Sequence, residues 1–307
     1  MRYGVLFPGQ GSQTVGMAAD VFAKRPDLLG PAADEILGWS LAELCAQGPQ
    51  EELTRTDRAQ PALYATAYAL WDEFSAAVSH APAAAAGHSL GEYTALAAAG
   101  VFDYATGLGL VSARGKAMGE AATTESSGMA ALLGADEETA ERVAVARRDQ
   151  GGRLFVANLN APGQVVVAGG KDDLAWLGEN GRELGVRRVI PLDVAGAFHS
   201  PFMASAAASL RAALGAVHFA EPGFPVYANV SAQPVADVAA ALADQLTGAV
   251  RFAASLEAMV TAGLDALVHV GPGDVTAGMA KRTVKDVEVH VVNDLESVAT
   301  VAAALVQ

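Results

Sequence analysis

The rhythm of this sequence leaves few folds open. Short apolar runs alternate with helical patterns along most of its 307 residues. That alternation demands a mostly parallel sheet covered by helices on both faces. Residues 3–7 form the first run, stopped by Pro8 and Gly9. Helical spacing follows at 14–24, 32–46 and 59–78, then a turn at Gly87 and a helix over 92–99 closed by Gly100. Asp103 is placed to cap the next helix, which runs to about Ala122. The rhythm then changes. Strand 129–133, helix 137–148, strands 154–158 and 164–168 about a Pro-Gly turn, helix 172–184 and strand 187–192 read βαββαβ. This is the split arrangement of a ferredoxin-like unit. The α/β rhythm returns with helices expected over 201–214, 238–246 and 252–262, strands over 225–229, 266–270 and 287–292, and a closing helix to the end. The expected organisation is an α/β body from residues 1–122 and 193–307, with a small subdomain, 123–192, inserted in it.

Composition narrows the function. Hydrophobic residues make up 52% and charged residues 18%, enough for a large core and incompatible with disorder. The net charge of −14 and the lack of a long basic tract argue against nucleic-acid binding. The single cysteine, Cys45, excludes an intrachain disulfide and a cysteine-rich zinc site, and fits a reducing compartment such as the cytoplasm. The uncharged runs 74–91 and 194–210 each carry Pro, His and Ser, so no membrane span is expected. The run before Pro8 is too short for a signal-peptide core. No metal-ligand cluster stands at usable spacing.

The sharpest chemical signal is Gly87-His88-Ser89-Leu90-Gly91, a G-x-S-x-G pattern between an apolar stretch and a helix. In a nucleophile elbow the serine sits on a tight strand-to-helix turn and the glycines give the backbone room. The next N–H, at the helix N-terminus, can then bind an oxyanion. A plain glycine turn is the alternative, and the alanines before Gly87 are weak strand formers. A serine nucleophile needs a base, and there are six histidines. His88 adjoins the serine and should point away from it. His269 lies in an expected strand, where a satisfied core histidine is the simpler reading. His199 lies in a nearly uncharged Gly/Pro loop leading into a helix, the setting of a functional loop, with packing as the alternative. Arg114 falls on the apolar stripe made by Leu110, Val111, Ala117 and Met118. A guanidinium there needs an anion, either an internal carboxylate or the carboxylate of a substrate. Gly9-Gln10-Gly11-Ser12-Gln13 does not fit a phosphate loop and reads as a tight turn presenting backbone N–H groups.

With these residues in view, the chain resembles the malonyl-CoA:acyl carrier protein transacylases, relatives of polyketide synthase acyltransferase domains. The resemblance is carried by FPGQGSQTVGM from Phe7, QPAL from Gln60, AGHSLGEY from Ala86 and the Arg-Gly-Lys at 114–116. It continues through NLNAPGQVVVAG from Asn158, GAFHSPFM from Gly196, the Gln-Leu at 245–246 and VGPG from Val270, and so spans nearly the whole chain. It implies a hydrolase-like α/β domain with an inserted ferredoxin-like subdomain. It implies Ser89 as acylated nucleophile, His199 as general base, Arg114 as clamp for the malonyl carboxylate, and Gln10 with the Leu90 N–H as oxyanion hole. In the family the histidine is oriented by main-chain carbonyls, one of them at the position of Gln245, and Asn160 lies near the site.

The resemblance also implies partners: malonyl-CoA as substrate, an acyl carrier protein bringing the phosphopantetheine thiol, no tightly bound cofactor, and a monomer. Leu90 and Ala197-Phe198 resemble the malonyl-selective members, with Phe198 placed to crowd a substituent on the malonyl C2 carbon. Carrier proteins are acidic, as this chain is, so docking should need local positive charge; Arg187 and Arg188, and Lys281, Arg282 and Lys285, are the candidates. The rival readings are a serine acyl hydrolase that passes the acyl group to water, a transferase for substituted malonyl units, and a catalytically idle docking module.

Overall fold

Among the described residues, 1–305 of a computed structural model, nine strands form two separate sheets. In chain order they are β1 (Tyr3–Phe7), β2 (Ala84–Gly87), β3 (Ser127–Leu133), β4 (Leu154–Ala161), β5 (Gln164–Gly170), β6 (Arg188–Pro191), β7 (Val226–Tyr227), β8 (Ala266–Val270) and β9 (Glu288–Val292). The first sheet runs β7-β2-β1-β8-β9 and every pairing is parallel. The second runs β4-β5-β3-β6 and is antiparallel, with helices Glu137–Arg148 and Lys171–Asn180 in the βαββαβ order of a ferredoxin-like unit. Hydrogen bonds from Val250 N to Ala157 O (2.8 Å) and from Leu159 N to Val250 O (2.8 Å) tie β4 to the main body. No helix of the described residues is long and apolar enough to cross a membrane.

β2 is the element that the sequence reads only as a turn at Gly87. Its Ala-Ala-Ala-Gly has low strand propensity, yet it pairs with β1 from Gly4↔Ala84 to Phe7↔Gly87 and is wholly buried. Packing overrides propensity here. Ala85 meets one core cluster and Ala84 and Ala86 another, so both faces of the strand are covered and small side chains fit between them.

Several expected elements change length. The helix expected over 14–24 is reduced to Ala19–Lys24, because Gly16 and Ala18 take left-handed φ values of 86° and 48°. The one expected over 32–46 divides into Pro31–Leu37 and Leu41–Gln47, with Gly38 at φ 76° between them and Ser40 capping the second. Strand 225–229 shortens to Val226–Tyr227, which frees Asn229 from the ladder. Helix Val275–Thr283, opening just after the Gly-Pro-Gly turn at 271–273, is an addition to the expected elements. The closing helix is Leu295–Leu305; the end of its expected span, Val306 and Gln307, lies outside the described residues.

Two helices set the floor of the site. Thr56–Ala77 packs closely against Tyr104–Ala122, which opens with the Asp103 side chain accepting from Thr106 N (2.7 Å). Glycines make that approach possible. A Cβ on Gly107 would lie 2.0 Å from Tyr64 Oη, and one on Gly115 2.8 Å from Thr56 O. Gly109, on the same helix, faces open space.

This contrast is testable. Gly109→Ala should raise the unfolding free energy by about 0.5–1 kcal/mol, the helix-interior advantage of alanine. Gly115→Ala should lower it by about 1–3 kcal/mol, because a backbone carbonyl cannot yield as a side chain can. Urea denaturation midpoints measure both. Equal shifts would mean that Gly115 is not what allows the two helices to approach.

Candidate active site

The site lies beyond the carboxyl ends of β1, β2 and β7, where a parallel sheet leaves a crevice. β2 ends at Gly87 and the helix Gly91–Ala98 begins four residues later. The turn between them holds Ser89 at φ 50°, a left-handed conformation that a non-glycine residue keeps only when its surroundings impose it. Both glycines of the motif are sterically required. A Cβ on Gly87 would lie 1.9 Å from Gly91 C, and one on Gly91 2.3 Å from Phe7 O. Asn229 clamps the turn from the end of β7: its Oδ1 accepts from Ser89 N (2.7 Å) and its Nδ2 donates to Gly87 O (2.6 Å).

Ser89 Oγ lies 2.7 Å from His199 Nε2. His199 Nδ1 donates to the main-chain oxygen of Gln245 (2.8 Å), which leaves Nε2 as the acceptor facing the serine. The partner of the imidazole is thus a neutral carbonyl at Gln245. Burial, then the nearby charge of Arg114, pull the His199 pKa down from its ordinary 6.5 to about 3. The ring is neutral at physiological pH, the state a proton acceptor needs.

Arg114 is 0% exposed. Its Nη1 donates to Gln60 Oε1 (2.6 Å), and its Nη2 to Gln245 Oε1 (2.8 Å) and Ser89 Oγ (3.1 Å). Its Nε has no partner among the described residues, and the guanidinium lies 5.5 Å from the centre of the Tyr93 ring. Every hydrogen-bond partner is neutral; no carboxylate forms an ion pair with it among the described residues. The buried carboxyl of Glu92 acts on it only from beyond ion-pair distance, with the Gln245 amide between them. Of its five N–H groups, the Nε proton and one Nη1 proton remain free.

The remaining candidates gather around the same cavity of about 210 Å³. Gln10, Leu90, Asn160 and Phe198 line it together with Ser89, Arg114 and His199. The main-chain N–H groups of Gln10 and Leu90 have no protein acceptor among the described residues. The Gln10 side chain makes only a long contact to Thr56 Oγ1 (3.4 Å). Asn160 Oδ1 meets His88 Nε2 (2.7 Å), and the His88 ring lies edge-on to Phe252. His269 is a satisfied core histidine, held by Thr276 Oγ1 (2.5 Å) and Gly271 O (3.1 Å). No group of side chains suited to hold a metal ion occurs among the described residues.

Three contributors were not assigned a role from the sequence: Gln60, Glu92 and Asn229. Gln60 and Glu92 stand inside the matching stretches QPAL and AGHSLGEY, and that was the available signal. Asn229 lies at the end of an expected strand and carried none. Glu92 is fully buried; its Oε2 accepts from Gln245 Nε2 (2.6 Å) and Asn229 N (3.1 Å), while its Oε1 has no partner among the described residues. Burial pushes its carboxyl up to about 7.

The depressed pKa of His199 has a measurable signature. In an NMR titration its ring resonances, identified by their loss in His199→Gln, should keep neutral-imidazole positions from pH 8 down to below pH 5. Because the unfolded chain takes up a proton here below about pH 6.5 and the folded one does not, the residue's contribution to stability is full above that pH and declines as pH falls toward 3. A titration midpoint near 6.5 would contradict the buried, uncharged environment.

The acyl transferase domain family matches residues 5–304. The malonyl CoA-acyl carrier protein transacylase of Bacillus subtilis is 38% identical over 95% of this chain and 94% of its own length. The polyketide biosynthesis malonyl CoA-acyl carrier protein transacylase of the same organism is 39% identical over 92% of this chain and 97% of its own. Among solved structures, a malonyl-transacylase in complex with its type II PKS acyl-carrier protein superposes with a TM-score of 0.94 at 36% identity, covering 99% of this chain and all of that one. With a hydrolase-like α/β body, an inserted ferredoxin-like sheet and likeness along its whole length, this chain belongs to the malonyl-CoA:acyl carrier protein transacylase family of acyl transferases.

Proposed function

We propose that this protein transfers a malonyl group from malonyl-CoA to the phosphopantetheine thiol of an acyl carrier protein through a malonyl-Ser89 ester. The observation that carries this reading is the buried guanidinium of Arg114, which lacks a carboxylate partner and stands 3.1 Å from the serine oxygen. Malonyl is an acyl group that brings its own carboxylate. Set on Arg114, that carboxylate would fix the thioester carbon beside Ser89 Oγ and supply the charge that the pocket lacks.

His199 Nε2 takes the Ser89 proton as Oγ attacks the thioester carbonyl. The negative charge on the carbonyl oxygen is met by the Leu90 N–H and by Gln10. The C–S bond then breaks, and CoA thiolate takes the proton from His199. In the second half the carrier's thiol gives its proton to His199 and attacks the ester, and Ser89 regains its proton as it leaves. The cycle conserves every proton and requires neither a resident metal nor a tightly held cofactor. Gln245 O stabilises the transient imidazolium through Nδ1. Phe198 narrows the space around C2, which would disfavour methylmalonyl by the roughly 1–3 kcal/mol that one methyl is worth.

The basic residues expected to receive the carrier protein, Arg187, Arg188, Lys281, Arg282 and Lys285, are exposed. Leu133 pairs with Gln164 on one side and Arg188 on the other, and Arg282 Nη1 donates to Gln164 Oε1 (2.8 Å). Arg188 and Arg282 therefore stand at one end of the small sheet, on either side of Leu133. The protein acts, in this reading, as a cytoplasmic monomer, in fatty-acid or polyketide synthesis.

Intact-protein mass spectrometry tests the proposal. The native enzyme mixed with malonyl-CoA should gain one malonyl adduct, Ser89→Ala none, and His199→Ala orders of magnitude less in the same time. Addition of a phosphopantetheinylated carrier protein should move the adduct to the carrier. Release of free malonate at the same rate with and without carrier would make the protein a hydrolase, and an undiminished adduct on Ser89→Ala would remove Ser89 as nucleophile.

A further inference from the structure

We propose that Glu92 is a positioning residue for malonyl selection, acting on Arg114 through the side-chain amide of Gln245. The inference rests on Arg114 being the malonyl clamp and goes beyond it by naming what aims the clamp. An amide has one accepting end and one donating end. Gln245 Nε2 donates to Glu92 Oε2 (2.6 Å) and to Ser89 O (2.9 Å), so both of its N–H groups are committed to acceptors on one side. Its Oε1 is thereby turned to the other side, where Arg114 Nη2 donates to it (2.8 Å). A rotated amide would set its N–H groups against the guanidinium and its oxygen against the Ser89 carbonyl. Glu92 Oε2 also accepts from Asn229 N (3.1 Å), and Asn229 in turn holds Ser89 N and Gly87 O. One buried oxygen thus fastens the two segments that grip the elbow and the clamp.

Only one oxygen of Glu92 is used. Oε1 has no hydrogen-bond partner among the described residues, and burial pushes the carboxyl up to about 7, so the side chain is often neutral near physiological pH. A proton then sits on Oε1 and leaves Oε2 free to accept. What the arrangement needs from Glu92 is an acceptor at Oε2 rather than a charge. Glu92→Gln can supply one, with its amide nitrogen in the place of Oε1; Glu92→Leu cannot.

The test is the ratio of kcat/KM for malonyl-CoA over acetyl-CoA. Glu92→Leu should lower it at least about 10-fold, with the malonyl value falling more than the acetyl value, while Glu92→Gln stays within about threefold of the native ratio. In a Gln245→Met background, adding Glu92→Leu should change the ratio by less than about threefold, since the relay is already gone. Equal loss of malonyl and acetyl activity in Glu92→Leu, or full additivity with Gln245→Met, would overturn the inference. So would a Glu92→Gln enzyme as unselective as Glu92→Leu. If Glu92→Leu does not fold, the native enzyme answers by NMR: two distinct, slowly exchanging Gln245 side-chain N–H protons support the contact, and fast exchange overturns it. A native enzyme without malonyl preference would instead overturn the clamp reading itself.

Discussion

A buried arginine without a carboxylate in direct contact organises this protein. Placing a guanidinium inside a core costs several kcal/mol unless it is paired and hydrogen-bonded. Arg114 is hydrogen-bonded to two amide oxygens and a hydroxyl, and among the described residues no carboxylate stands in ion-pair contact with it. The residues around it share the work of holding it in that state. Gln60 and Gln245 bring oxygens that cannot neutralise it, the face of Tyr93 lies beside it, and the glycines at 107 and 115 let its helix settle against the one that carries Gln60. In the proposed reaction an acyl group with a free carboxylate would supply the anion that contacts Arg114.

The same charge bears on the rest of the chemistry. It helps to keep His199 neutral, and it donates to the hydroxyl that His199 accepts from. In a Ser-His-Asp triad a carboxylate occupies the place behind the histidine. Here the neutral main-chain carbonyl of Gln245 orients the imidazole.

The strand and helix rhythm of the sequence locates most elements, because amphipathic periodicity and capping residues such as Asp103 are local signals. The places where the reading failed are those settled by tertiary contact. Ala84–Gly87 is a strand because β1 and β7 flank it and two core clusters need small side chains between them, not because alanines favour strands. The arm 225–229 yields a strand of only Val226–Tyr227, since Asn229 is drawn to the elbow. At the site, motif, loop setting and a charge on an apolar stripe single out Ser89, His199 and Arg114 as candidates with structural alternatives, and the fold brings the three side chains to one cavity. Gln60, Glu92 and Asn229 were not assigned, because an uncharged amide or a helix-start glutamate looks ordinary until the group it faces is known. Asn160 sits in the cavity with His88 as its partner, a contact that no spacing rule contains.

The central claim is that Arg114 is kept unpaired for the malonyl carboxylate, and a competition assay with malonyl-CoA and acetyl-CoA on folded Arg114→Ala tests it most directly. The account predicts that the malonyl over acetyl ratio in kcat/KM collapses by at least about 100-fold, mainly through the malonyl value, since a desolvated charge-assisted pair is lost and acetyl no longer lies beside a lone charge. Arg114→Lys should restore only part of it, because lysine keeps the charge and loses the two-pronged geometry. An Arg114→Ala enzyme that retained its preference for malonyl would show the arginine to be structural, and the account would be contradicted.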